Sequence, residues 1–394
     1  MKLCLATTSF PRWVDDHRSP YMLEMARAIE RQGHSVRVVT LHYPGARVRE
    51  NLEGIEVIRT RYLPDQWEIL QKEDGGIPVM WRKYPLARLA IIPLVITYMR
   101  SIVQYSKDCD LIHANWTLSG MCTWLGQWLH KKTFVVTVHG SDINQGIQIP
   151  LARLLTQSSL RASAGVMCVS RSLAEVVLSL GVQCSKVQVV PCGVDTSRFL
   201  ISKKKRQPFL LFVGALTENK GVRLLLEAFS RVLRSFPEYR LVLVGDGPLR
   251  SEFQSLAHSL KVADKVDFLG SIPQVRVSEW MQRARLFVLP SFAEGLPVVL
   301  LEALASGTPC IGSHVGGVPD VITEEVGLLV PPADPLALGD AILQILRLEE
   351  NEYHEMSQRA RRRAVEIFDW QVVVPKIISV YTQAVSVMCE MRSL

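Results

Sequence analysis

Two glutamates, Glu294 and Glu302, stand with seven residues between them in the run Pro290-Ser-Phe-Ala-Glu-Gly-Leu-Pro-Val-Val-Leu-Leu-Glu-Ala-Leu-Ala305. The preceding Arg285-Leu-Phe-Val-Leu289 reads as a buried parallel strand. A turn carrying Glu294 and Gly295 follows, then a helix predicted to hold Pro297 at its first position, where a missing N–H costs nothing. The start of that helix, around Leu296 and Val298, presents free backbone N–H groups and the positive end of a dipole. That arrangement suits an anion such as a diphosphate. Glu302 interrupts an apolar run, and a carboxylate there is expensive to bury unless something hydrogen-bonds it. It can turn to solvent, pair with a structural arginine, or hold a polyol such as a nucleotide ribose. The glycine turn and the anion-ready helix start favour the polyol.

Lys220 follows Phe212-Val-Gly-Ala-Leu-Thr-Glu-Asn219 and opens the next helix, with Gly214 in the turn. It is either a solvated surface charge or a point charge for phosphates. Gly245 and Asp246, after the strand Leu241-Val-Leu-Val244, superficially match a dinucleotide fingerprint. The third glycine and a suitably placed acidic residue are missing, which argues against a nicotinamide dehydrogenase. His139 ends another apolar strand and leads into Gly140, Ser141 and Asp142. It either bonds backbone or lines a cleft, with Asp142 orienting it or capping the next element. The loop Thr7–Ser19 has no glycine but carries Arg12, Trp13, His17 and Arg18, a basic and aromatic rim. Trp13 and Trp116 are either core residues or stacking platforms for sugar faces. No residues have metal-ligand spacing. The eight cysteines are scattered, as expected for free thiols in a reducing compartment.

The elements that position these residues alternate as strand and helix. In the first half the expected strands are 2–7, 35–40, 110–113, 133–139 and 166–169, with helices at 20–31 and 172–180. In the second half they are 209–213, 240–244, 266–269, 285–289 and 309–312, with helices near 222–236, 249–260 and 278–284. Short apolar strands joined by helices predict an α/β protein with parallel, doubly wound sheets. The basic, proline-bounded segment 195–208 has the character of a linker. After Asp334 the chain reads as helical to its end.

At 394 residues, with 48% hydrophobic and 21% charged residues, the chain can build two cores and is not generally disordered. Its net charge of +7 is uneven. Residues 1–206 hold 27 Lys/Arg against 16 Asp/Glu, and the remainder 18 against 22. With no nucleic-acid module recognisable, the basic half favours an anionic acceptor or membrane surface. Leu86–Met99 is the most membrane-like stretch, but its apolar core falls short of the ~20 residues that span a bilayer. It reads as a core helix or as one lying on an anionic leaflet. The amino terminus enters a strand directly, with no signal-peptide pattern, giving an expectation of a cytoplasmic protein, possible at the inner membrane face.

The paired glutamates resemble the motif of retaining glycosyltransferases of family 4, which have the GT-B fold. Further matching blocks are Val138-His-Gly-Ser-Asp-Ile143, Val189-Val-Pro-Cys-Gly-Val-Asp195 with Arg198-Phe199, Phe212-Val-Gly-Ala-Leu216 with Lys220-Gly221, Leu241–Pro248 and Gly327-Leu-Leu-Val-Pro-Pro-Ala-Asp334. The resemblance implies two Rossmann-like doubly wound domains facing across a cleft. Residues 1–195 would be the acceptor side, with a closing helix about 371–394 packing back on it, and residues 207–370 the donor side. Glu294, His139 and Lys220 would be catalytic. Lys220, Gly214, Glu294, Gly295, Leu296, Val298, Glu302, Gly245 and Asp246 would bind the donor, and Arg12, Trp13, Asp142 and Trp116 would face the acceptor. The leaving diphosphate would be neutralised by Lys220 and the helix dipole, so neither cofactor nor metal is expected. The implied partners are a nucleotide sugar and a glycan or lipid-linked acceptor. The His-Gly-Ser-Asp-Ile block with His113-Ala-Asn-Trp116 is most similar to enzymes of bacterial surface-polysaccharide assembly. Two departures stand out: Ala215 replaces the arginine common after the strand's glycine, and the first loop lacks a glycine pair. Arg223 or Arg12 are the candidates to replace the lost phosphate contact. A sugar-nucleotide 2-epimerase and a non-catalytic binding relative remain as alternative readings.

Overall fold

The strands are apolar runs that helices must cover on both faces, and the chain satisfies this twice. The computed structural model describes residues 1–14, 16, 18–70, 88–140, 143, 149–201 and 205–393, with side chains through 386. It divides into two compact units, Met1–Pro191 with Val373–Leu394, and Cys192–Val372.

The first unit runs β1 (Lys2–Thr7), α1 (Pro20–Arg31), β2 (Ser35–Leu41), β3 (Arg49–Leu52), β4 (Ile55–Thr60), α2 (Ile91–Tyr105), β5 (Leu111–Asn115), α3 (Thr117–Leu125), α4 (Gln127–His130), β6 (Thr133–Val138), α5 (Pro150–Ala162), β7 (Gly165–Cys168), α6 (Arg171–Ser179) and β8 (Val187–Val189). The sheet order is β3-β4-β2-β1-β5-β6-β7-β8. β1 is buried from Leu3 to Thr7 because it pairs in parallel with both β2 and β5. α1 starts with proline in its first turn and buries Met22, Leu23, Met25, Ala26, Ala28 and Ile29, one face of a 3.6-residue period. β3 and β4 pair antiparallel around Glu53 and Gly54, whose φ of 51° and 98° fit a tight hairpin turn. Sequence reading passes over this hairpin because β3 is a charged, exposed edge without an apolar run.

The second unit runs β9 (Gln207–Val213), α7 (Val222–Val232), β10 (Arg240–Val244), α8 (Arg250–Ser259), β11 (Val266–Gly270), α9 (Gln274–Arg283), β12 (Ala284–Leu289), α10 (Val298–Ala305), β13 (Cys310–Ser313), α11 (Val318–Val321), β14 (Gly327–Val330), α12 (Pro335–Leu346) and α13 (Glu350–Arg363). Its all-parallel order, β11-β10-β9-β12-β13-β14, is that of a Rossmann sheet. The last helix, α14 (Trp370–Ser393), starts in this unit, and from Val373 it belongs to the first. There the Tyr381 hydroxyl meets His113 Nδ1 at 2.7 Å, and Val380 lies over Gly165.

The described residues between Cys192 and Arg206 are part of the second unit rather than a free linker. Val194 bridges Asp369, Phe199 is buried, and Arg361 donates to Thr196 O at 2.9 Å. Arg206, within the segment read as a linker, donates to Met281 O, Thr308 Oγ1 and Ser306 O within 2.6–2.9 Å. Basic composition suggests solvent only when no carbonyls converge on the guanidinium, and here they do.

Candidate active site

In an open α/β sheet, ligands bind beyond the carboxyl ends of the strands where the strand order reverses. In the second unit that point lies between β9 and β12. The two loops leaving it carry Lys220 and Glu294, which are 74 residues apart in sequence. Lys220 Nζ donates to Glu294 Oε1 at 2.7 Å. The lysine side chain is 25% exposed and the glutamate 10%, so the pair is half-shielded from water.

Close backbone contacts produce this geometry. Gly221 sits at φ 66°, and a side-chain carbon added there would lie 2.0 Å from Pro290 O. Phe292 N donates to Asn219 O at 2.8 Å, and Asn219 Nδ2 donates to Ala293 O at 3.1 Å. Behind Glu294, Gly316 sits at φ 51°, where an added carbon would fall 1.8 Å from Glu294 O. Gly245, at φ 124°, passes equally close to Gly214 O, at 2.0 Å, so the turns after β9 and β10 lie against each other. Asp246 is exposed; its O accepts from Leu216 N at 2.9 Å and its carboxylate from Gly247 N at 2.8 Å.

Pro297 is the residue that caps α10, not its first helical residue, because its ψ of 105° is extended; the helix begins at Val298. No side chain caps this start. Leu300 N closes back on Pro297 O, while the first N–H groups of the helix have no acceptor within it. Gly295, Leu296 and Val298 lead into this end, as the sequence suggests. Glu302 is only 6% exposed. Its Oε1 accepts from Gln274 Nε2 at 2.8 Å, so a side-chain amide at the start of α9 is a partner sequence reading missed. Nothing in the sequence marks Gln274, which looks like any polar residue opening a helix. Gln274→Leu should weaken nucleoside diphosphate binding by about threefold to tenfold, the loss of one hydrogen bond to a charged group. Calorimetry on the variant checks this, and Gln274→Glu should weaken it further by setting two carboxylates together.

In the first unit the order reverses between β1 and β5. The end of β5 brings Asn115 and Trp116 to His139, one residue past β6, while the loop after β1 carries Arg12 and Trp13. His139 Nε2 donates to Asn115 Oδ1 at 2.9 Å, which leaves Nδ1 as the acceptor of the neutral ring. Trp116 packs on that ring with centroids 4.4 Å apart, and Tyr21 lies at 5.9 Å. Trp116 is therefore a partner of His139, and it stays half-buried. It is held at φ 65°, an uncommon backbone for a bulky residue and of the kind that clusters at functional sites. Burial pushes the His139 imidazole down to about 3, so it is neutral at physiological pH. Asn115 Nδ2 is buried without a partner.

Arg12 is paired within its own loop. It grips Asp16 through Nε at 2.7 Å and Nη2 at 2.6 Å, and its guanidinium lies over Trp13 and Tyr43. Buried Arg59 holds the loop from below, donating to Pro11 O at 2.8 Å and Arg12 O at 3.2 Å. Arg223 is likewise engaged, with Glu252. Both candidate replacements for the arginine missing at Ala215 are thus held in ion pairs. Trp13 is 47% exposed. Ser141, Asp142 and His17 lie outside the described residues.

Among the described residues one cluster has metal-ligand composition, His42, Asp65 and Glu68. His42 Nδ1 meets Glu68 Oε2 at 2.5 Å and Nε2 meets Ala46 O at 2.9 Å, so both ring nitrogens are already engaged. Arg61 lies 3.2 Å from Asp65. We read it as an ionic brace for the chain after β4.

His113 is buried between Thr137 Oγ1, at 2.6 Å, and the Tyr381 hydroxyl, and burial pushes its imidazole down to about 3. Unfolded, it titrates near 6.5. Below that pH the unfolded chain binds protons the folded chain refuses, so stability is full above about pH 6.5 and falls as pH drops toward 3. Urea midpoints should therefore decline between pH 7 and 5, and His113→Gln should flatten that decline.

With this geometry in view, comparison with known proteins gives a consistent answer. A family model described as Glycosyltransferase Family 4 matches residues 19–198, and one described as Glycosyl transferases group 1 matches residues 194–363. The chain belongs to glycosyltransferase family 4. It is an enzyme of the hexosyltransferase type with the GT-B fold. This family 4 chain is 27% identical over 372 residues to the N-acetyl-alpha-D-glucosaminyl L-malate synthase of Bacillus anthracis, covering 91% of each chain. Among solved structures, sucrose-phosphate synthase from Thermosynechococcus elongatus superposes with a TM-score of 0.80 at 23% identity, covering 98% of this chain and 100% of that one. Anabaena HepE in complex with UDP-glucose gives 0.73 at 16% identity, covering 99% and 100%. No helix among the described residues is long and apolar enough to cross a membrane.

Proposed function

We propose that this enzyme is a retaining glycosyltransferase that moves a sugar from a nucleoside diphosphate sugar to an anionic glycan or lipid-linked acceptor of cell-surface polysaccharide. The Lys220–Glu294 pair beside the uncapped start of α10 carries this reading. Without a ligand, the lysine charge is matched by the glutamate. A diphosphate on Lys220 and the helix N–H groups replaces that partner and frees Glu294 to accept hydrogen bonds from the sugar. Glu302, already oriented by Gln274, takes the ribose. As the bond from the anomeric carbon to phosphate breaks, the acceptor oxygen bonds to the same face and its proton passes to the leaving phosphate. Neutral His139 supports that assignment, because a group titrating near 3 stores no proton at physiological pH and acts as a hydrogen-bond partner instead. UDP-glucose in the Anabaena protein supports the donor class, and the basic first half together with the malate named in the Bacillus enzyme supports an anionic acceptor. The motif His139-Gly-Ser-Asp-Ile143 supports the surface-polysaccharide branch.

Incubation with a panel of nucleotide sugars, with and without acidic acceptors, tests the reading. Donor should be consumed only with acceptor, and the product's anomeric configuration should match the donor's. Release of an epimerised nucleotide sugar without acceptor would establish the 2-epimerase alternative. Lys220→Ala should weaken nucleoside diphosphate binding by about 10- to 100-fold, the loss of a charge-assisted contact. Unchanged affinity would remove Lys220 from the site.

A further inference from the structure

We propose that one face of the first unit, built from α2 and the α3–α4 corner, docks the enzyme on an anionic lipid bilayer. The inference does not depend on the donor chemistry. α2 buries Leu94, Tyr98 and Ile102 against the sheet, as a core helix should. Its opposite side, which ought to be polar, instead exposes Ile92 (62%) and Ile96 (41%), with exposed Leu89 (69%) just before the helix and exposed Arg100 further along it. Ile92, Ile96, Met99 and Val103 follow one another at steps of four, three and four, a single row along the helix. Gly126, at the α3–α4 corner, packs on Met99 and Val103: an added carbon would lie 3.2 Å and 2.9 Å from them. Trp128 and Leu129, two and three residues beyond, therefore continue the apolar row, at 90% and 66% exposure, with Leu125 at 40%.

The charge on this face points to the occupant. Neither Arg88–Tyr105 nor Leu111–Lys132 contains an acidic residue, and exposed Arg100 and Lys131 lie beside the apolar side chains. A nearly fully exposed tryptophan next to leucines, isoleucines and cations has the composition of a surface that seats at the headgroup boundary of an anionic leaflet. The basic bias of the first half adds long-range attraction to it.

Flotation with phosphatidylcholine vesicles, with and without phosphatidylglycerol, tests the proposal on the full chain. The protein should float with the anionic vesicles, less so as salt rises. Trp128→Ser/Leu129→Ser should reduce partitioning by about tenfold or more, since two exposed side chains supply much of the inserted area. Ile92→Ser/Ile96→Ser should act in the same direction. Because all four side chains are substantially exposed, melting temperature and nucleoside diphosphate binding should stay unchanged and serve as folding controls. Equal recruitment to neutral vesicles, no recruitment at low salt, or full recruitment of both variants would overturn the proposal. So would self-association through this face that the substitutions abolish while lipid binding is absent.

Discussion

Glu294→Ala will lower turnover by about 100-fold or more while leaving the affinity for free nucleoside diphosphate unchanged or slightly higher. The direction on affinity follows from the 2.7 Å contact with Lys220. Removing the carboxylate releases the ammonium from a competitor for the phosphates. The loss in turnover follows if Glu294 engages the transferred sugar chiefly as positive charge develops at its anomeric carbon. Single-turnover rates and calorimetry separate the two quantities. Lys220→Ala has the opposite profile, weakening nucleotide binding and also leaving a half-shielded carboxylate without its cation. The two substitutions share one partner, so the double variant should lose less than the product of the single losses. Strong weakening of free nucleotide by Glu294→Ala, or full turnover in that variant, would show that the roles of the pair are misassigned.

Gly316→Ala should be nearly as damaging to turnover, although Gly316 has no side chain to offer a substrate. Its φ of 51° is strained for any other residue, and the added carbon would sit 1.8 Å from Glu294 O. Neither the backbone carbonyl nor the glycine can yield without moving the Glu294 loop. A displacement of the order of 1 Å at a positioned carboxylate costs about 100-fold in rate. The sheet beneath should be spared, so far-ultraviolet circular dichroism stays native while kcat falls. Native kcat in this variant would show that the loop tolerates displacement and that Glu294 is not held by Gly316.

The paired-glutamate turn shows how much of the site was legible. Strand, turn and helix follow from local signals, an apolar run, a glycine and a proline, and the structure moves the helix start by only one residue. That shift arises because Pro297 adopts an extended ψ, which makes it the cap. Gln274 was illegible because its importance comes from a carboxylate on another helix, and nothing in its own neighbourhood encodes that. For the same reason the pairing of Arg12 could not be read from the sequence. Its strong partner, Asp16, is four residues away, but their grip requires a loop held by buried Arg59. The hairpin of β3 and β4 escaped because edge strands carry charges and lack the apolar run that marks interior strands.

By itself the sequence determined the alternation of buried strands and amphipathic helices, the residues at strand ends that could do chemistry, and the family. These depend on interactions within about ten residues, where side-chain type sets backbone preference directly. Only the tertiary structure decided strand order, and with it the two switch points that gather Lys220 with Glu294 and His139 with Trp116. It also decided that the segment before β9 is anchored, that Gly316 braces the Glu294 loop, and that α2 turns apolar side chains to solvent. The physical reason is common to all of these. Each depends on which distant backbone or charge arrives beside a residue, and that is fixed by packing whole elements together rather than by any local propensity.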